Sequence, residues 1–109
     1  MKHELRTWPE PFEAAFVGDK RHEIRSESDR TFSVGDALLL REWVPCPTCQ
    51  GGTVAFRGRC PSCDGNRTLM GYTGRDLLVV VTCLSREAWG LPRGLVVMSF
   101  DVKARGDRG

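Results

Sequence analysis

No apolar run in this chain approaches the roughly 20 residues that a membrane-spanning helix needs. The longest, Leu77 to Val81, has the length of a buried strand. The N-terminus, Met1-Lys2-His3-Glu4-Leu5-Arg6, lacks the apolar stretch of a signal peptide. Together these absences predict a cytoplasmic protein with no membrane partner. An excess of one charge is also missing: 16 basic residues face 14 acidic ones, a net +2. Bulk charge therefore carries no argument for a nucleic-acid partner, and only a local basic patch can. The 109 residues match the size of one domain.

Cysteine is the residue present in excess, with five in the chain. Four of them form two similar segments, Cys46-Pro47-Thr48-Cys49-Gln50-Gly51 and Cys60-Pro61-Ser62-Cys63-Asp64-Gly65. In an oxidising compartment they would read as disulfides with one cysteine left over, but a reducing cytosol favours metal. A Cys-x-x-Cys turn lets two thiolates converge on one ion, and backbone amides of the turn can donate to the sulfurs. The glycine after each pair suits a tight knuckle. A redox dithiol needs a single pair at a helix start, whereas both pairs here lie in loop sequence. The expectation is one structural zinc ion held by Cys46, Cys49, Cys60 and Cys63, with Thr53 to Arg59 forming a short hairpin between the knuckles. Four thiolates leave no open position, so such an ion is not catalytic. Cys83, in an apolar strand, reads as a buried core thiol.

The cysteine-rich segment, residues 44–71, separates two stretches of ordinary globular sequence. Before it, His3 to Thr7 is a short strand candidate. Pro9 and Pro11 suit the first turn of a helix, whose apolar face is Phe12, Ala15 and Phe16 and whose stop is Gly18. Lys20 to Arg25 is a polar strand, and Ala37 to Trp43 an apolar one. After the segment, Tyr72 to Arg75 reads as a turn, Leu77 to Leu84 as the strongest strand, and Leu95 to Phe100 as the last core strand. Residues 103–109 read as a flexible charged tail. The fold class expected is α+β, mostly β, in one domain over 1–109 with an inserted zinc-ribbon-like module at 44–71 and one or two short helices.

Several motifs occur in an order that resembles a known family: His3-Glu4-Leu5, Thr7-Trp8-Pro9, Phe12-Glu13-Ala14, Gly18-Asp19-Lys20, Glu23-Ile24-Arg25, Arg30-Thr31-Phe32, Val34-Gly35-Asp36, Leu38 to Trp43 and Tyr72-Thr73-Gly74-Arg75. They are similar to a small bacterial and phage family of unknown function in the ASCH-like branch of the PUA superfamily. The resemblance runs from His3 to Phe100, apart from the inserted segment. It implies a small, partly open β-barrel with a helix beside a cleft, lined by a Gly-x-Lys-x-x-Glu-x-Arg segment that is here Gly18, Lys20, Glu23 and Arg25. It also implies binding of RNA or a modified nucleotide. Some ASCH-like proteins are amidohydrolases on N4-acetylcytidine that use a lysine, a threonine and a glutamate. Lys20 matches the lysine, and Glu23 stands where those enzymes carry the threonine.

On a strand, Glu23 and Arg25 share a face, with Lys20 reaching over from the preceding turn. Lys20 and Arg25 could hold a phosphate, and Glu23 could accept from the exocyclic amine of a base. The plainer reading is a surface ion-pair ladder of little energetic value. In an enzyme, Lys20 beside Arg25 would act as nucleophile or base, with Glu23 as its companion. Arg30 and Arg41 are further phosphate contacts or solvated charges. Trp8 reads as core, Trp43 and Trp89 as core or as platforms for bases, and His3 as a structural hydrogen-bonder or a residue bordering the cleft. Arg57, Arg59 and Arg67 with Phe56 give the cysteine module a basic, aromatic surface for a nucleic acid or a protein partner, or merely keep it soluble. The sequence thus favours a zinc-containing nucleic-acid-binding module over two rivals, an amidohydrolase on N4-acylated cytidine and a phage-type protein-interaction adaptor.

Overall fold

Alternating apolar residues draw five strands around one core in a computed structural model that describes residues 1–86 and 90–107. The elements are β1 (Lys2–Thr7), α1 (Pro9–Phe16), β2 (His22–Ser26), β3 (Ala37–Val44), a 3-10 turn (Gln50–Gly52), β4 (Gly71–Arg86) and β5 (Leu95–Asp107). The strands form a single sheet in the order β1-β3-β4-β5-β2, curled into a half-barrel. β1 runs parallel to β3, and every other pairing is antiparallel. Every second residue points into the curl: Leu5 from β1, Leu38 and Leu40 from β3, Leu77, Val79 and Val81 from β4, and Val96, Met98 and Phe100 from β5.

Helix α1 fills the mouth of the curl with Phe12 and Ala15, both fully buried. Its first turn accepts Pro9 because no amide donor is needed there. Arg75 clamps the helix from β4: it pairs with Glu13 and lies over the rings of Phe12 and Phe16, 5.2 and 4.5 Å from their centroids. Just past the helix, Gly18 takes φ +93°, a left-handed conformation that costs a residue without Cβ little. The Lys20 amide then bonds back to the Ala14 carbonyl at 3.0 Å, and the chain turns into β2. Below the core, His3 donates from Nε2 to Asp36 at 2.9 Å and packs on Phe32, 4.7 Å between ring centroids. Burial pushes the Asp36 carboxyl up, but bonds from His3, the Ser33 amide and the Met1 amino group outweigh it, so its pKa falls below the ordinary value.

Four expectations are corrected. Tyr72 to Arg75 is not a turn but the first part of β4, because Val44 pairs with Gly71 and Trp43 with Tyr72. The hairpin of β3 and β4 thus extends outward to the root of the cysteine segment. Residues 103–107 are not a loose tail. They continue β5 against β4, with Leu77 opposite Arg105 and Arg75 opposite Asp107, and Arg105 donates to the Phe16 carbonyl at 2.7 Å. Residues 108 and 109 lie outside the described residues. Cys83 is exposed rather than buried. A bulge between Val81 and Cys83 breaks the register with β5, and the extra residue reverses which side chains face the core. Finally, Thr53 to Arg59 forms turns and bends instead of a hairpin.

Candidate functional site

Two neighbouring sites stand on this frame. The first is the cysteine module at the tip of the β3–β4 hairpin. Its four sulfurs all lie within 4.8 Å of one another, and all four residues are buried. Cys46 and Cys60 are separated by 3.9 Å between sulfurs, Cys49 and Cys63 by 3.6 Å. A tetrahedron of sulfurs about 2.3 Å from a central ion has edges of about 3.8 Å, whereas a disulfide brings sulfurs to about 2.05 Å. These two separations are close to the edge of that tetrahedron, and all four cysteines are free thiols. The set fits one metal ion.

The module is braced by local polar contacts. The Arg67 amide donates to Cys63 Sγ at 3.2 Å, and the Cys46 amide to the Arg67 carbonyl at 2.8 Å. Thr48 and Ser62, one in each knuckle, share a hydrogen bond of 2.6 Å. Thr68 ties the module to its root by donating to the Val44 carbonyl and accepting from the Gly71 amide. The Cys49 backbone amide, helped by that of Thr48, draws the Cys46 thiol down to about 7 against its burial. Burial first, then the neighbouring thiols, pushes Cys49 up to about 11. Arg57 and Arg59 are exposed beside a half-exposed Phe56.

The second site is the open seam of the half-barrel, where the edge strands β1 and β2 approach without pairing. Glu23 and Arg25 share the inward face of β2, as its alternation requires, and Glu23 is buried at 3% exposure. Lys20 Nζ donates to one Glu23 oxygen at 3.2 Å and Arg25 Nε to the other at 2.8 Å. Arg25 then spans the seam, donating from Nη2 to the Arg6 carbonyl at 2.8 Å and to Thr7 Oγ1 at 3.2 Å. Arg30 repeats the device further along, donating to the Glu4 carbonyl at 3.3 Å. Guanidinium groups therefore satisfy the unpaired carbonyls of the β1 edge, a recognised problem of open sheets.

Above this seam lies a cleft of about 340 Å³ lined by Arg6, Thr7, Trp8, Lys20, Glu23 and Arg25, with Pro11, His22 and Ile24. That volume is within the range of small-ligand sites, about 300–1,000 Å³. Arg6 and Arg25 also line a broader depression of about 510 Å³ that holds Glu4, Asp29, Arg30 and Tyr72, so the two form one groove. Arg41 stacks on Tyr72, 3.8 Å from the ring centroid, and reaches Glu4 at 3.9 Å.

Of the residues singled out from sequence, Lys20, Glu23 and Arg25 come together in the cleft, and Arg30 lies in the adjoining depression. Arg41 stands beside Tyr72 on the same side. His3 is held in the interior by Asp36 instead of bordering the cleft. Trp8 is corrected from core to cleft wall: it is the N-cap of α1 and 41% exposed, while Trp43 is buried. Trp89 lies outside the described residues. Arg6, Thr7 and Tyr72 were missed. The strict outward alternation of Lys2, Glu4 and Arg6 along β1 could have marked Arg6. Tyr72 was hidden by its assignment to a turn.

Among the described residues, no helix is long and apolar enough to cross a membrane. Among curated proteins none matches the chain. A family model described as a domain of unknown function (DUF3850) matches residues 2–100.

Proposed function

The chain belongs to the DUF3850 family of unknown function, and from the geometry of its two sites we propose that it is a zinc-containing module that binds single-stranded nucleic acid, or a nucleotide, at the seam. The observation that carries this reading is the composition of the cleft: an exposed indole, Trp8, beside three cations, Arg6, Lys20 and Arg25, and a buried carboxylate whose two oxygens accept from Lys20 and Arg25. A base can stack on Trp8, a contact that tolerates any base because each has a π face. Glu23 can accept from an exocyclic amine. Lys20 and Arg6 supply phosphate contacts, which position the strand without reading sequence. Arg30, and Arg41 on Tyr72, extend the same chemistry along the groove. The resemblance of the motif order to ASCH-like domains supports an RNA-directed role, and the lack of an apolar signal stretch at the N-terminus supports a cytoplasmic one.

Zinc is the proposed ion because four thiolates in a closed tetrahedron are its usual structural set, and soft sulfur ligands disfavour magnesium and calcium. Its function is to fold a segment that lacks an apolar core of its own.

A second reading uses the same cleft. Lys20 and Glu23 on the β2 side of the seam and Thr7 on the β1 side line it, a set that suits an amidohydrolase on an N4-acylated cytidine. Lys20 is engaged as a donor to Glu23, which favours binding over nucleophilic attack.

The discriminating experiment is a salt titration of binding to a short fluorescent single-stranded RNA by the metal-loaded chain. Binding should weaken with salt at a logarithmic slope of about −0.7 per phosphate contacted. Lys20→Ala and Arg6→Ala should each lower affinity and reduce the slope by about that amount. No binding at low salt, or slopes unchanged in both variants, contradicts the proposal. Cytidine release from an N4-acyl substrate, lost in Lys20→Ala, would establish the second reading instead.

A further inference from the structure

The two sites touch at Gly51. Gly51 lies in the 3-10 turn directly after Cys49, with φ +68°. A Cβ added there would sit 2.9 Å from Cζ2 of Trp8, 3.2 Å from Cβ of Pro45 and 3.4 Å from Cζ3 of Trp43. Real Cβ atoms essentially never show the first separation, so the backbone of the knuckle rests directly on the two indoles. Trp8 is the aromatic wall of the cleft. Trp43 in turn carries Arg6, whose guanidinium is 5.0 Å from the indole centroid, and Arg6 lines both parts of the groove. Two cleft residues therefore lean on the cysteine module, one directly and one through Trp43.

We propose that the cysteine module is a positioning element for the cleft: metal binding folds the Cys46–Gly51 knuckle, and the knuckle holds Trp8 in the orientation that closes one wall of the groove. This rests on the reading of the cleft as a binding site, and it gives the module a task beyond its own stability. The segment has no regular structure except the 3-10 turn. Its shape depends on the ligated sulfurs, and a fold of this kind is lost with the ion. Trp8 shows no side-chain hydrogen bond among the described residues. Once the knuckle loosens, the indole loses the backbone that fixes its face. Gly51 is the coupling residue because only a side chain of hydrogen permits both the left-handed turn and the close approach.

The test labels the full chain with 5-fluorotryptophan and follows the three tryptophan 19F resonances, that of Trp8 being identified by its loss in Trp8→Phe. Chelation of the metal should shift or broaden the Trp8 resonance while the far-UV circular dichroism of the sheet persists. Gly51→Ala should move the same resonance with metal still bound, measured by metal stoichiometry. It should also weaken binding of the single-stranded RNA by about tenfold, the scale of one lost stacking contact. A Trp8 resonance unmoved by both chelation and Gly51→Ala overturns the coupling. A wild-type chain whose Trp8 responds to the metal but binds no RNA leaves the coupling standing and rejects the nucleic-acid reading instead.

Discussion

At the residue scale, Arg25 serves the cleft and the frame at once. Its Nε and Nη2 are committed to Glu23, the Arg6 carbonyl and Thr7, and among the described residues Nη1 makes no hydrogen bond. The guanidinium fork is needed for this because three acceptors on two strands must be met from one planar group. Arg25→Lys keeps the charge but cannot span them. It should lower stability by about 1–3 kcal/mol, the scale of lost charge-assisted hydrogen bonds at a buried acceptor, and thermal melting followed by circular dichroism checks it. A variant melting with the wild type would remove the seam from the account. The alternation of β2 made the shared face of Glu23 and Arg25 legible in the sequence. The use of β1 carbonyls as acceptors was not, because it depends on which two strands become the sheet edges. Cys83 was misread for a similar reason, since strand parity cannot announce a bulge.

Among the elements, the long β3–β4 hairpin explains how a barrel accommodates the cysteine module. Val44 and Gly71 are paired neighbours, so the chain leaves and returns at one point, and the barrel core contains no residue from between them. Replacing residues 45–70 by Asn-Gly, a two-residue turn suited to an antiparallel hairpin, should leave a cooperatively folding half-barrel. The expected loss is about 2 kcal/mol, from the exposure of Trp43, and denaturant unfolding measures it. A chain that no longer unfolds cooperatively would show that the module belongs to the core. The cysteine spacing revealed the site, since two Cys-x-x-Cys pairs carry their chemistry in the spacing itself. Their seat on the barrel was not legible, because a glycine beside a cysteine reads as a turn and gives no sign of two indoles behind it. The missed first part of β4, through Tyr72 to Arg75, and the missed end of β5 at Asp107 share a cause: each is a polar stretch held as strand by its partner rather than by its own pattern.

For the whole molecule, a sheet that curls without closing leaves a seam, and the proposed function lies at that seam. Closure by side chains instead of backbone ladders puts cations, a buried carboxylate and an aromatic ring at one opening. The near balance of total charge, +2 over the chain, makes local placement decisive. The most direct measurement is amide and indole chemical-shift mapping of the metal-loaded chain during titration with a single-stranded RNA. The account predicts perturbations centred on Arg6, Thr7, Trp8, Lys20, Glu23 and Arg25 and fading toward Tyr72. Perturbations confined to Val54–Arg59 of the cysteine module, or none at saturating RNA, would contradict it.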